Sequence, residues 1–356
     1  MRRLLRPTGF VDSPFGHDGK VARLAGGLNW FASVEVLTVE DGRRVAAELV
    51  PVEGIEQRFD DDLAARWTAL TAPRAPLQLG ERTIRLDQPQ VMAILNATPD
   101  SFSDGGQFAD SSAAAEAGAR LAGEGAAIID VGGESTRPGA SIVWEGDEIE
   151  RVEPIIRQLA GGGAAVSIDT RKATVMEAAL GSGARLINDV SALTFDPRAI
   201  DVVAASGVPV VLMHHQGAPE SMQDNPRYVD VLVDVYEWLE DRIAAAEDAG
   251  IKRSQILVDP GFGFGKSVAH NLELMNGLAL FHGLGCPIVL GASRKRTIGA
   301  LSNEAPADSR LGGSLAFALK AVEQGAQLVR VHDVPETVQA LKIWRGLRDQ
   351  ALTPRP

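Results

Sequence analysis

From residue 91 onward the apolar positions keep a repeating beat. Short uninterrupted apolar runs stand at 91–95, 127–131, 166–168, 186–187, 208–213, 256–258, 287–290 and 328–331. They do not alternate with polar residues, which is the pattern of parallel strands buried on both faces. Between them lie Ala-rich amphipathic stretches, clearest at 111–124, 173–180, 229–249 and 311–323, which predict helices. Gly125, Gly183, Gly207, Gly250 and Gly325 each precede an apolar run, where a glycine ending a helix belongs. Eight strand-then-helix units in about 265 residues predict an α/β fold, a (β/α)8 TIM barrel. A doubly wound open sheet is the alternative, but it seldom needs eight units.

The first 75 residues do not follow this beat. Residues 29–39 read as a strand, and 60–70 as a short helix with Asp60 as N-cap and acidic residues in the first turn. Pro73 and Pro76 mark a linker, and 77–86, around Gly80-Glu81, reads as a hairpin that plugs the bottom of the barrel. The expected organisation is thus a small α+β extension at 1–75, a packing or oligomerisation module without a chemical motif, and a barrel with its hairpin at 76–356.

Composition narrows the function classes. A hydrophobic fraction of 45% with 23% charged residues fits a globular protein. The net charge of −12 argues against a generic nucleic-acid binder. Positions 1–88 carry 12 basic and 13 acidic residues, so nearly all of that charge belongs to the barrel. The single cysteine, Cys286, makes neither an intrachain disulfide nor a cysteine-based zinc site, which fits a cytoplasmic setting. No apolar run approaches the roughly 20 residues of a membrane helix, and the basic start at Met1 lacks the apolar core of a signal peptide.

In a TIM barrel the site forms at the C-terminal strand ends. Those ends carry Asn96, Asp169, Asn188, Met213, Asp259, Ser293-Arg-Lys-Arg296 and Arg330-Val-His332, residue types that make fixed hydrogen bonds or bind anions. Carboxylates flanked by buried residues need partners. Asp169, Asn188 and Asp259 therefore suit a ligand rich in N–H donors, such as an aminopyrimidine ring. Lys295, Arg330 and His332 stand on strands seven and eight, the usual phosphate corner. Asn96 offers one amide oxygen to a Mg²⁺ otherwise held by phosphate and water.

Two look-alikes are rejected. Pro260-Gly-Phe-Gly-Phe-Gly-Lys-Ser267 resembles a Walker A loop, but Pro260 stands where that loop requires its first glycine. His214 and His215 are adjacent on a strand, so their side chains face opposite ways, with no further ligand at zinc spacing.

The ordered strings resemble dihydropteroate synthases over about three-quarters of the chain. Leu95-Asn-Ala-Thr-Pro-Asp-Ser-Phe-Ser-Asp-Gly-Gly106 is similar to that family's first signature, with Ala97 where Val is usual, and Ile129-Asp-Val-Gly-Gly-Glu-Ser-Thr-Arg-Pro-Gly139 is similar to the second. Asp259–Lys266, Ser293-Arg294-Lys295 and Arg330-Val-His332 complete the set.

The resemblance implies condensation of 6-hydroxymethyl-7,8-dihydropterin diphosphate with p-aminobenzoate, with Mg²⁺, in a homodimer. It implies a pterin site of Asp169, Asn188, Met213, Asp259, Phe264 and Lys295. It implies a diphosphate site of Asn96, Arg330 and His332, and a p-aminobenzoate site of Phe102, Thr136, Arg137, Pro138 and Ser293. Arg171, His215 and Arg296 depart from the family pattern, which suggests altered rims rather than altered chemistry. A pterin barrel for methyl transfer would lack the Ser-Arg-Lys and Thr-Arg-Pro strings, and a non-catalytic paralogue would show eroded site residues.

Overall fold

The computed structural model describes residues 2–97, 107–135, 142–217 and 222–353. The chain opens with strands β1 (Arg2–Val11), β2 (Ala22–Arg23), β3 (Trp30–Glu40) and β4 (Arg43–Pro51) and helix α1 (Asp61–Thr71). β1 and β4 flank β3 antiparallel, and β2 adds a short pairing at Phe31 and Trp30. Asp60 caps α1 by accepting the Leu63 N–H, as its position before two acidic residues predicts. Phe31, Val34, Val36, Val50, Leu63 and Leu70 make a core belonging to this region alone.

The hairpin follows as β5 (Leu77–Leu79) and β6 (Arg82–Ile84). Its Leu77, Leu79, Ile84 and Leu86 pack against Met92, Ile128, Leu186, Val211, Leu257 and Leu328 near the N-terminal ends of the barrel strands, so it does close the bottom.

The barrel strands are β7 (Gln90–Asn96), β8 (Ile128–Gly132), β9 (Val166–Asp169), β10 (Leu186–Asp189), β11 (Val210–Met213), β12 (Ile256–Asp259), β13 (Val289–Leu290) and β14 (Leu328–Val331). They pair in parallel in the order β12-β11-β10-β9-β8-β7-β14-β13, and a bridge between Val258 and Ile288 joins the two edges. All eight coincide with the apolar runs, because both faces of each strand are buried. The outer layer is α2 (Gln107–Gly123), α3 (Glu145–Gly161), α4 (Ala173–Ser182), α5 (Ala199–Ser206), α6 (Val231–Asp248), α7 (Val268–Asn276), α8 (Arg296–Leu301), α9 (Leu311–Glu323) and α10 (Val334–Ala351). A 3-10 turn at Leu278–Leu284 precedes β13. Gly183 and Gly207 end α4 and α5 at positive φ, 117° and 68°, which a residue with a Cβ resists.

Register places the polar residues. Asn96, Gly132, Asp169 and Asn188 are successive partners across four neighbouring strands, and Met213 pairs with Asp259. Side chains alternate between barrel interior and helix layer, so apolar residues fill the interior low down and polar ones rise above them.

Candidate active site

Arg330 organises the upper interior. Its Nε donates to Asp130 Oδ2 and its Nη2 to Asp169 Oδ2, each at 2.6 Å. Asn188 Nδ2 donates to the same Asp130 oxygen at 3.0 Å. One guanidinium and one amide thus tie β14, β8, β9 and β10 together. The second oxygens, Asp130 Oδ1 and Asp169 Oδ1, are buried with no hydrogen-bond partner among the described residues. A buried carboxylate oxygen without a donor is unfavourable, so these atoms present acceptors to a donor-rich ligand.

The opposite wall comes from the ends of β12 and β13. Asp259 Oδ1 accepts the Gly261 N–H at 2.7 Å, which turns the chain sharply after the strand. Lys295 donates to the Phe262 carbonyl, and its ammonium lies 4.4 Å from the centre of the Phe264 ring. Ser293 Oγ lies 3.0 Å from His332 Nδ1 and accepts the His332 backbone N–H at 3.2 Å. The residues expected for a p-aminobenzoate carboxylate and for diphosphate are therefore in mutual contact. Phe102, Thr136, Arg137 and Pro138 lie outside the described residues.

Electrostatics follow from burial. Desolvation raises Asp169 to about 7, opposed by Arg330 and reinforced by Asp130. Desolvation lowers Lys295 to about 8, against the pull of Asp259, and desolvation also raises Asp259. Burial alone would lower Arg330, but Asp130 and Asp169 hold it above its ordinary value.

Asn96 is half-buried at the end of β7 and supplies a single neutral oxygen. No group of three histidine, cysteine, aspartate or glutamate side chains could hold a metal among the described residues. This donor set fits a Mg²⁺ that takes most of its ligands from phosphate and water.

The sequence reading left two features out of its site. Asp130 sits inside an apolar run, and its partner Arg330 is 200 positions away. The only local signal was a carboxylate between Ile129 and Val131, which requires a buried partner. The second feature is an ion network beside the site. Lys172 Nζ donates to Glu134, to Glu148 at 2.6 Å and to the Val143 carbonyl at 2.7 Å. Thr170 Oγ1 also donates to Glu148, and Arg171 Nη2 to Glu134, each at 2.7 Å. Arg171, one of the departures from the family pattern, further lies 4.0 Å from the ring centre of Phe195. The network locks the exits of β8 and β9 to the first turn of α3. His214 and His215 lie just past the end of β11, so strand alternation does not separate them: both rings pack edge-on against Trp238, at 4.9 and 6.1 Å, rather than facing opposite ways. His214 reaches Lys266, and His215 Nδ1 the Gly217 carbonyl.

Comparison with known proteins agrees with this geometry. The family described as "Pterin binding enzyme" matches residues 92–332. A dihydropteroate synthase of Neisseria meningitidis serogroup B is 48% identical over 276 residues, 76% of this chain and 96% of that protein. That of Escherichia coli K12 is 46% identical over 262 residues, 73% of this chain and 92% of that protein. The Xanthomonas albilineans dihydropteroate synthase with 4-aminobenzoic acid superposes with a TM-score of 0.73 at 48% identity, covering 79% of this chain and 100% of that one. The same species' enzyme in complex with 7,8-dihydropteroate gives 0.70 at 44%, covering 78% and 100%. The chain belongs to the dihydropteroate synthase family of pterin-binding transferases.

Proposed function

We propose that this protein joins 6-hydroxymethyl-7,8-dihydropterin diphosphate to p-aminobenzoate, releasing diphosphate and forming 7,8-dihydropteroate. The observation that carries this reading is the pair of buried oxygens on Asp130 and Asp169 that have no partner among the described residues, in a barrel interior that also holds Asn188, Asp259 and Lys295. An aminopyrimidine ring supplies N–H donors to the carboxylates and a carbonyl acceptor to Lys295. Phe264 and Met213 offer surface to its faces. The product-bound and 4-aminobenzoic acid-bound relatives support the same substrates.

The proposed chemistry is a dissociative substitution. The pterin CH₂–O bond ionises, the ring delocalises the positive charge, and the Asp169 carboxylate stabilises it electrostatically. Asn96 and His332 hold the departing diphosphate, with Arg330 adding positive charge from below. The arylamine is neutral at pH 7, so it attacks the methylene carbon without a strong base, the resulting acidic arylammonium releases its proton to solvent, and Ser293 orients its carboxylate. Asn96 would help hold a Mg²⁺, which would supply charge neutralisation for the leaving group.

Cytoplasmic placement and a homodimer belong to the same reading. Cys286 is buried as a free thiol. Ile343 and Leu347, four apart on α10, form an exposed apolar stripe that a second copy would cover. No helix among the described residues is long and apolar enough to cross a membrane. The test is direct: purified protein, pterin diphosphate, p-aminobenzoate and Mg²⁺ should yield dihydropteroate. A sulfonamide, bound by the Yersinia pestis relative, should compete with p-aminobenzoate. A folded protein that binds the pterin yet forms no product would overturn the reading.

A further inference from the structure

Lys266 ends the glycine-rich string that resembles a phosphate-binding loop, yet it does not face open space. It is 2% exposed. Its ammonium bonds to His214 Nδ1 at 2.8 Å, the Gly261 carbonyl at 2.9 Å and the Phe264 carbonyl at 3.0 Å. An ammonium has three N–H donors, so these acceptors use all of them and leave none for a phosphate. With Nδ1 accepting, the network assigns His214 as the neutral tautomer with its proton on Nε2. Burial favours that neutral form; it also pulls Lys266 well below its ordinary value, opposed by Asp259, and the three acceptors around Nζ hold the ammonium against that pull.

The glycines serve close packing rather than anion binding. A Cβ at Gly261 would stand 1.7 Å from the His214 carbonyl oxygen, and one at Gly265 would stand 2.3 Å from that of Gln216. Both residues also have positive φ, 69° and 63°. The loop therefore lies backbone to backbone on the exit of β11, and Lys266 fastens it there. The same loop presents the Phe262 carbonyl and the Phe264 ring to Lys295.

We propose that Lys266, braced by His214, is a positioning residue that fixes the 261–264 loop so that Phe264 and Lys295 meet the pterin ring. The proposal rests on the pterin-site reading above. It separates two lysines that the sequence places in similar glycine-rich or basic surroundings: Lys295 would touch the ligand, and Lys266 would act only through the loop.

The test uses the full-length protein and a pterin without phosphate, 6-hydroxymethylpterin, titrated by fluorescence. Lys266→Met should raise its Kd about 10-fold, the effect of losing a buried charged hydrogen-bond donor. Inhibition by inorganic diphosphate and the KM for p-aminobenzoate should stay within about twofold. His214→Asn keeps an acceptor near the Nδ1 position and should bind pterin like the wild type, whereas His214→Leu should resemble Lys266→Met. Unchanged pterin affinity in Lys266→Met would overturn the proposal. So would a parallel loss for all three ligands, which marks phosphate contact or general loosening. Should Lys266→Met not fold, the His214 pair decides, because equal behaviour of the Asn and Leu variants overturns the proposal and a difference in the stated direction supports it. A wild-type protein that does not bind the pterin sinks the pterin-site reading itself, and this proposal with it.

Discussion

At the scale of single residues, the site is a balance between burial and pairing. Asp169 has one oxygen on Arg330 and one without a partner among the described residues, so among these its ionised form is held by a single strong contact. That sets a pH dependence. Desolvation raises Asp169 to about 7, so its carboxylate, the form that stabilises a pterin cation, appears as pH rises through that value. Lys295 is lowered to about 8 and loses its charge above it. Hence kcat/KM for pterin diphosphate, which reports the free enzyme, should peak between about 7 and 8. Asp169→Asn should lower turnover by about 10²–10³, the size expected for losing one aimed electrostatic group, and should flatten the acid limb. An unchanged acid limb in that variant would assign the limb elsewhere. Lys295→Ala should weaken pterin diphosphate more than p-aminobenzoate, as measured by separate KM values; equal effects would contradict the placement of Lys295 against the ring. Arg330→Ala is a less clean probe, since it strands two buried carboxylates and destabilises the fold as well.

Elements are joined by buried polar ties as well as by the apolar core. His282, in the turn before β13, is fully buried, and its Nε2–H donates to the Gln324 carbonyl at 3.0 Å while its own carbonyl accepts from Arg74 at 3.0 Å. Its Nδ1 has no partner among the described residues. Burial, with the neighbouring Arg74 charge, lowers it to about 3. The unfolded chain therefore binds a proton that the folded chain refuses. The His282 contribution is complete above about 6.5 and is lost as pH falls from there toward 3. His282→Gln keeps a donor near the Nε2 position but cannot be protonated, so the drop in urea midpoint between pH 7 and pH 5 should shrink. An identical drop in both proteins would place the acid sensitivity elsewhere. The elements themselves were unequally legible. Every barrel strand was readable, because burial on both faces leaves an uninterrupted apolar run. β1 and β4 were not: β1 carries three arginines whose partners are distant in sequence, Arg2 on Glu237 and Glu240 of α6, Arg3 on Asp60 and Arg6 on Glu35, and β4 is an edge strand with mostly exposed side chains. The site was legible wherever a polar residue ended a run. Asp130 and the Glu134–Lys172–Glu148 network were missed because their meaning depends on partners distant in sequence.

For the whole molecule, the question is what holds the N-terminal extension to the barrel. Its cations meet the acidic outer helices: Arg44 pairs with Asp230 and Glu273, and Arg66 with Glu240 beyond a hydrogen bond to Tyr236. This gives the barrel's excess negative charge a structural use away from the anion corner. Yet Arg44 remains 26% exposed, and partly solvated ion pairs contribute only about 0–1 kcal/mol. Leu4, Leu37 and Val39, by contrast, belong to the barrel's own core cluster and are nearly or fully buried. Truncating such a leucine costs about 2–5 kcal/mol. Apolar contact should therefore dominate the attachment and make the two regions unfold as one. Two probes report them separately: hydrogen exchange of β3 for the extension, and thiol labelling of the buried Cys286 for the barrel. Leu37→Ala should lower the urea midpoint of both probes together, and by more than Arg44→Ala does. Separate transitions would show that the extension detaches as an independent unit. A larger loss from Arg44→Ala would show that the ion pairs, not the leucines, hold it in place.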